Sequence, residues 1–313
     1  MQYALIAAVL GVGIVLAVTH PRYRAAVEAG RAATSGGRIA STAFGDLEYG
    51  ERGAGPAVLI VHGAGGGFDQ GLLFGETFVG EGVRIIAPSR FGYLKSAIPP
   101  DGSPAAQADA YAALLDLLGV HRVALLAVSD GGPSALQFAL RYPERTAALV
   151  MISAKSRSAP PDTLLQRVVF GTIFRSSYVY WGLTIVGRSA LLGMLGVPPE
   201  VLAHTDERGQ RLISAVTDGM TPISQRRRGI YHDRATLAVL PPEQFALERI
   251  TAPTLVVHAR DDGLQPFSHA EYTVSRVPGA QLLAYDRGGH MLSLQVDEVR
   301  ARVAELLAKH GPG

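Results

Sequence analysis

Hydrophobic and polar positions fall into two alternating patterns along this chain. Apolar runs of five or six residues recur at 57–62, 83–87, 123–128, 147–152, 254–259 and 280–285. Runs this short, rich in Val, Ile, Leu and Ala and without polar alternation, predict strands buried on both faces. Between them lie stretches with helical spacing, at about 68–80, 104–119, 133–142, 267–276 and 292–309. In the second of these, Tyr111, Leu114, Leu115, Leu117 and Leu118 supply one apolar face. Residues 39–51 predict two strands in a hairpin that turns near Gly45-Asp46. Strands that alternate with helices predict an α/β fold, a mostly parallel, doubly wound sheet covered on both faces. From 154 to 249 the alternation stops and only helical and loop patterns occur. The expected organisation is therefore a core from 38–153 and 250–310, interrupted by a helical insertion over 154–249.

The amino terminus follows neither pattern. Residues 1–18 read MQYALIAAVLGVGIVLAV, with Gln2 as the sole strongly polar side chain. That is long enough to cross a hydrocarbon core of about 30 Å. A cleaved signal peptide is the alternative. It wants a basic start and a small-x-small cleavage site, and Leu16-Ala17-Val18-Thr19-His20 supplies a poor one. The expectation is a single-pass membrane anchor over 1–19, then a linker over 20–37 made of a short helix and a Ser-Gly-Gly stretch. Arg22, Arg24, Arg31 and Arg38 follow the anchor and would put the remainder in the cytoplasm.

Composition narrows the function classes. In 313 residues, 48% are hydrophobic and 18% charged, which suits a sizeable core and excludes disorder. The net charge of +2 comes without a basic block, so no nucleic-acid footprint is expected. Arg226, Arg227 and Arg228 form the single basic run, read as a solvated helix face. The absence of cysteine removes disulfides, thiol nucleophiles and cysteine-based zinc sites. Gly63–Gly67 (GAGGG) lacks both dinucleotide-loop spacing and a Walker lysine, so no nucleotide, metal or other cofactor is expected.

Residues 123–142, VALLAVSDGGPSALQFALRY, carry the chemistry. A buried strand breaks at Ser129 and passes at once into a helix. Such a turn strains the serine backbone and leaves room for small flanking residues alone, here Ala127 and Gly131. The following helix points its amides toward the serine. A serine nucleophile needs a base within reach, and the base needs an acid to fix its tautomer.

This strand–serine–helix turn, the AVLIVHGAGGG stretch at 57–67, and an acid and a histidine each placed after a strand resemble the α/β-hydrolase superfamily over residues 45–153 and 250–308. Ala127 departs from the Gly-x-Ser-x-Gly pattern by one methyl. The resemblance implies a catalytic Ser129, Asp262 and His290, in the family's chain order. It places the acid on Asp262, from Ala259-Arg260-Asp261-Asp262 and Pro266, and leaves Asp261 as a solvated turn residue. It implies oxyanion donors at the amides of Ala64 and Asp130, a bracing role for His62 and a helical cap at 154–249. His258, inside a strand, is read as a core histidine. Phe170, Phe174, Tyr178 and Trp181 recur at helical spacing in the cap and form a candidate substrate wall. The implied activity is that of an esterase- or lipase-like serine hydrolase on a small-molecule, lipophilic ester. Amidase or aminopeptidase chemistry and a non-catalytic binding protein are the alternatives. A dehalogenase is disfavoured because relatives of that type use an aspartate nucleophile.

Overall fold

The computed structural model describes residues 2–158 and 163–312, with side chains except those of residues 2–16 and Gln166. Eight strands form one sheet: β1 (Arg38–Thr42), β2 (Gly45–Arg52), β3 (Ala57–Val61), β4 (Arg84–Pro88), β5 (Val123–Val128), β6 (Thr146–Ile152), β7 (Thr254–Ala259) and β8 (Gln281–Tyr285). Their order is β1-β2-β4-β3-β5-β6-β7-β8. The β1–β2 hairpin is antiparallel and joins β4 antiparallel; every pairing from β4 through β8 is parallel. The order reverses between β3 and β5, where an open α/β sheet forms its ligand crevice. Val61 and Ala127 are register partners there, so the two loops that follow leave the sheet side by side.

Alternate residues of the central strands feed two cores. Leu59, Val61, Leu125, Ala127, Leu149 and Met151 face α3 (Pro104–Leu117) and α4 (Gly132–Arg141). Val58, Ile60, Ala124, Leu126, Val150 and Val257 face α2 (Phe68–Phe78) and the C-terminal helix Val296–His310. That helix begins later than the apolar pattern suggests. Residues 291–295 are taken up by a turn with Leu292 at φ 49°.

Between β6 and β7 the described residues form helices α5 (Leu164–Ile173), α6 (Ser177–Ile185), α7 (Arg188–Met194), α8 (Pro199–His204), α9 (Glu207–Gly219) and α10 (Arg227–Thr236). They have their own small core around Tyr93, Phe174, Tyr180, Leu191, Met220 and Ile230.

The amino terminus requires a correction. A single helix, α1, runs Gln2–Ala33, through Pro21 and through most of the expected linker. Its second half is held by packing. The Tyr23 ring lies 4.9 Å from Tyr178 and 5.6 Å from Trp181. Gly30 is so close to Thr221 that a Cβ would sit 1.9 Å from its carbonyl oxygen. These contacts, which sequence spacing does not reveal, order what reads as a linker. Among the described residues no helix is long and apolar enough to cross a membrane. The expected anchor over 1–19 and the membrane localisation built on it therefore do not stand; the side chains of 1–16 lie outside the described residues.

The tight approach of α4 to the strand ends is directly testable. A Cβ on Gly132 would meet the Lys155 carbonyl oxygen at 2.1 Å, although φ −52° is ordinary helix. Gly132→Ala should therefore cost about 1–3 kcal/mol in urea unfolding, as overpacking does. Gly182, inside α6, has nothing within 4 Å of its Cβ position. Gly182→Ala should be neutral or stabilising by up to about 1 kcal/mol. Equal effects at the two sites would contradict the packing described.

Candidate functional site

β5 ends at Val128 and the chain turns at Ser129, which holds φ 54°, a left-handed conformation rare for a side chain other than glycine. Helix α4 starts two residues after the turn residue Asp130. Contacts on both flanks keep the turn in place. A Cβ on Gly131 would sit 2.5 Å from the Val61 carbonyl oxygen. The Ser129 carbonyl accepts from the Lys155 amide at 3.0 Å. A Cβ on Gly63 would fall 2.8 Å from Ser129 Cβ, so the loop after β3 lies directly against the serine.

Ser129 and His290 line one cavity of about 780 Å³. His290 is in the loop after β8, held by its amide on the Gly196 carbonyl between α7 and α8 at 2.8 Å. His290 Nδ1 lies 2.8 Å from Asp262 Oδ2. A carboxylate can only accept, so Nδ1 carries the proton and Nε2 is left as the basic nitrogen. Asp262 Oδ1 accepts from the amides of Leu264 and Gln265 at 2.8 and 2.9 Å. Burial alone would raise the Asp262 carboxyl. The charge on His290 and hydrogen bonds from His258, His290 and the Gln265 amide outweigh it and hold Asp262 well below the usual carboxylate range. Burial pulls His290 down, but the adjacent Asp262 charge and their hydrogen bond prevail and raise it above its ordinary value.

Two neighbours of Asp262 differ from their sequence reading. His258 is buried in β7, as a core histidine would be, yet its Nε2 lies 3.2 Å from Asp262 Oδ2 and 2.9 Å from the Gln265 carbonyl. Asp261 is more than a solvated turn residue. It accepts from the amides of Gly288 at 3.2 Å and Gly289 at 2.8 Å, and so ties down the loop that carries His290. Adjacent placement of Asp261 and Asp262 concealed that division, because both carboxylates sit on one turn and both reach the loop after β8, Asp261 at its main chain and Asp262 at the His290 side chain.

The loop after β3 is braced from inside. His62 accepts from the Arg90 amide at Nε2, 2.9 Å, and donates from Nδ1 to the Gly63 carbonyl, 2.7 Å. Burial and then the Arg90 charge hold His62 well below its ordinary value, which keeps it neutral for both bonds. Ala64 and Asp130, the two expected amide donors, both line the cavity beside Ser129. The Asp130 side chain accepts from Gln265 Nε2 at 3.0 Å.

The expected aromatic wall divides. Phe170 and Phe174, stacked 5.8 Å apart on α5 and its end, line the cavity. Tyr178 and Trp181 turn instead to Tyr23 of α1. The physical reason is the break at Ser176, whose side chain caps α6, so the spacing of four aromatics spans two helices rather than one face. Phe74, Phe78, Val216 and Met220 complete an apolar lining that periodicity did not reveal. Polar groups on the lining include Asp130, Lys155, Asp233, Arg234 and Gln265. Among the described residues no cluster of His, Asp or Glu has the grouping of a metal site.

The basic run at 226–228 also needs correcting. Arg226 is buried and pairs with Asp69, while Arg228 is exposed. A second buried pair joins Arg90 to Asp233. Each partner comes from a distant part of the chain, which is why no local pattern marks them.

Comparison with known proteins agrees with this geometry. A family model described as alpha/beta hydrolase fold matches residues 56–175. A hydrolase of Bacillus subtilis named YcgS is 29% identical over 80% of this chain and 90% of its own length. A 2-hydroxy-6-oxo-6-phenylhexa-2,4-dienoate hydrolase of Burkholderia cepacia is 26% identical over 78% of this chain and 84% of its own. Among solved structures, an alpha/beta hydrolase fold protein from Nakamurella multipartita superposes with a TM-score of 0.68 at 28% identity, covering 87% of this chain and 98% of that one. Together with the strand order and the serine turn, these likenesses show that the chain has the α/β-hydrolase fold.

Proposed function

We propose that this protein is a hydrolase that cleaves a carboxylic ester with a lipophilic acyl part, through an acyl-enzyme on Ser129. The observation that carries the reading is one cavity, mostly apolar, lined by both Ser129 and a His290 whose Nδ1 is held by Asp262. Ser129 Oγ attacks the ester carbonyl as His290 Nε2 takes its proton. The tetrahedral oxyanion accepts hydrogen bonds from the Ala64 and Asp130 amides. It collapses as His290 returns the proton to the departing alcohol. Water, activated by the same imidazole, then releases the acid and restores Ser129. Asp262 orients His290 and stabilises its charged form. In this reading residues 154–249 act as a cap on the core of 38–153 and 250–310, with Phe170 and Phe174 against the acyl chain.

A second reading is favoured by the Burkholderia cepacia relative: the same three residues hydrolyse an oxo-dienoate rather than an ester. Its carboxylate would have to lie near Lys155 or Arg234, the cations of the lining. Amide substrates remain a variant of the first reading. A chain-length series of p-nitrophenyl esters, run beside 2-hydroxy-6-oxo-6-phenylhexa-2,4-dienoate, decides between the two. We expect kcat/KM to be highest for a medium-length acyl ester. A higher value for the dienoate would move the assignment to the second reading.

Ser129→Ala should lower ester turnover by about a thousandfold or more and abolish labelling by a fluorophosphonate, with an unchanged melting temperature. Retention of a tenth of wild-type turnover would remove Ser129 from the role. The two aspartates should separate. Asp262→Asn presents an amide that favours the wrong imidazole tautomer and should cripple turnover. Asp261→Asn should change turnover less than about tenfold and lower stability by about 1–2 kcal/mol, through the weakened loop bonds. The opposite order of losses would transfer the acid role to Asp261.

The base must be neutral to act, and Asp262 raises His290 above the ordinary value of 6.5. The acid limb of a kcat/KM profile should therefore lie above that pH, with activity lost as pH falls through it. In the residual activity of Asp262→Asn the limb should move to lower pH. A limb that stays in place would mean that another group titrates.

A further inference from the structure

Two buried guanidinium groups cross the seam between the sheet and the helices of 154–249. Arg226, at the head of α10, donates through Nη1 to the Gly66 carbonyl at 2.7 Å and to Asp69 Oδ1 at 3.1 Å. Its Nη2 donates to Asp69 Oδ2 at 2.7 Å and to the Gly219 carbonyl at 2.8 Å. Arg90, after β4, donates through Nη1 to the Asp130 carbonyl at 2.7 Å and through Nη2 to Asp233 Oδ2. The Tyr93 hydroxyl also donates to Asp233 Oδ2 and lies 3.4 Å from the Gly65 amide as its acceptor. The polarity reverses between the pairs. In one the arginine belongs to the sheet side and in the other to the helical side, so each side of the seam contributes one cation and one carboxylate.

What the two arginines share is the kind of atom they hold besides a carboxylate. Arg90 grips the carbonyl of Asp130, whose own amide is proposed to bind the oxyanion, and Arg226 grips the Gly66 carbonyl, two residues along the loop from Ala64. The direction of an amide is set by its peptide plane, and the plane is set by what holds the neighbouring groups. On the elbow side, the Ser129 carbonyl is on the Lys155 amide and the Asp130 carbonyl is on Arg90, so the Asp130 amide is fixed from both ends. On the other loop, His62 holds the Gly63 carbonyl, Tyr93 meets Gly65, and Arg226 holds Gly66, which brackets Ala64. Nε of both Arg90 and Arg226 is buried without a hydrogen-bond partner among the described residues. A seam selected for stability alone would be better served by apolar packing than by buried charges left partly unpaired.

We propose that Arg226 and Arg90 are positioning residues that fix the Ala64 and Asp130 amides, so that the helices of 154–249 form part of the scaffold of the oxyanion hole. This rests on the acyl-transfer reading above. Its consequence is that changes on the helical side, far from the serine, alter transition-state binding without altering substrate binding.

The test uses the full chain, with kcat counted per serine titrated by a fluorophosphonate. Arg226→Lys keeps the buried charge and loses the two-pronged grip; Asp233→Asn keeps the shape and loosens Arg90. Both should lower kcat for p-nitrophenyl butyrate by about tenfold to a hundredfold, below the loss seen on removing an oxyanion donor outright. KM should stay within about threefold, and affinity for an alkyl trifluoromethyl ketone, which forms a tetrahedral adduct with the serine, should fall by the same factor as kcat. Arg228→Gln, on the exposed neighbour, should leave all three within about twofold. If Asp233→Asn does not fold, Arg226→Lys and the charge-free pair Arg226→Met with Asp69→Leu carry the test. The inference is overturned if kcat per titrated serine and ketone affinity stay within about twofold of wild type while the melting temperature falls, or if the loss appears in KM alone. A wild-type protein that neither labels nor cleaves any ester overturns the acyl-transfer reading, and this inference with it.

Discussion

The backbone at Ser129 is held at φ 54°, and the rest of the site follows from how that conformation is kept. A left-handed serine costs of order 1–3 kcal/mol and persists only where the surroundings over-determine it. Here three elements do so. β5 is paired on both sides, to β3 and β6, so the strand cannot shift to relax the turn. Gly131 and Gly132 have no side chain where Val61 and Lys155 present their carbonyl oxygens. The Lys155 amide then holds the serine carbonyl itself. The turn is thus fixed by its neighbours' main chain, which core side-chain variation does not displace.

The same sheet geometry brings the remaining groups to one edge. Parallel pairing puts the carboxyl ends of β3, β5, β7 and β8 together, so the Gly-rich loop, the serine, the acid and the histidine arise from four loops with no need for long excursions. Charge then orders them. Asp262 accepts hydrogen bonds from two imidazoles and two amides, a set that keeps a buried carboxylate ionised. Removing one member of such a buried set typically costs about 3–5 kcal/mol, because a charge is left without compensation. The acid loop is therefore rigid for electrostatic reasons as much as for packing.

Those features were legible in the sequence because they are local. The strands at 123–128 and 254–259 announce themselves by composition and length, and the serine turn by the small residues around it. Ala64, Asp130, Asp262 and His290 could be located because each follows a strand at short range. What was not legible depends on pairs far apart in the chain. Arg226 and Asp69 stand 157 positions apart, and no periodicity links a charge at the head of one helix to an acid in the first turn of another. Tyr178 and Trp181 shared a spacing with Phe170 and Phe174, but spacing says which residues would share a face only if the helix is unbroken. The docking of the helical part of 20–37 was hidden for the same reason. That helix is stabilised by Tyr23 against an aromatic pair on α6 rather than by its own sequence.

This division between local and distant determinants bears on what the two parts of the molecule can vary. The sheet edge carries Ser129, Asp262 and His290 through main-chain geometry, and a substitution there meets carbonyl oxygens within 3 Å at Gly131 and Gly132. The segment 154–249 supplies much of the cavity's apolar lining, Phe170, Phe174, Val216 and Met220 among it, in contacts that tolerate exchange of one apolar side chain for another. Yet the helical part is not free to drift as a whole. Arg226 and Asp233 fasten α10 to the sheet side by buried charge, and the Gly196 carbonyl fastens the turn between α7 and α8 to the His290 amide. The cavity wall can therefore change side chain by side chain while three fixed points keep it registered on the serine. Two of those points are charged and desolvated, so a wall that moved away would leave Arg226 or Asp233 without its partner, and the penalty for that grows as the seam becomes drier.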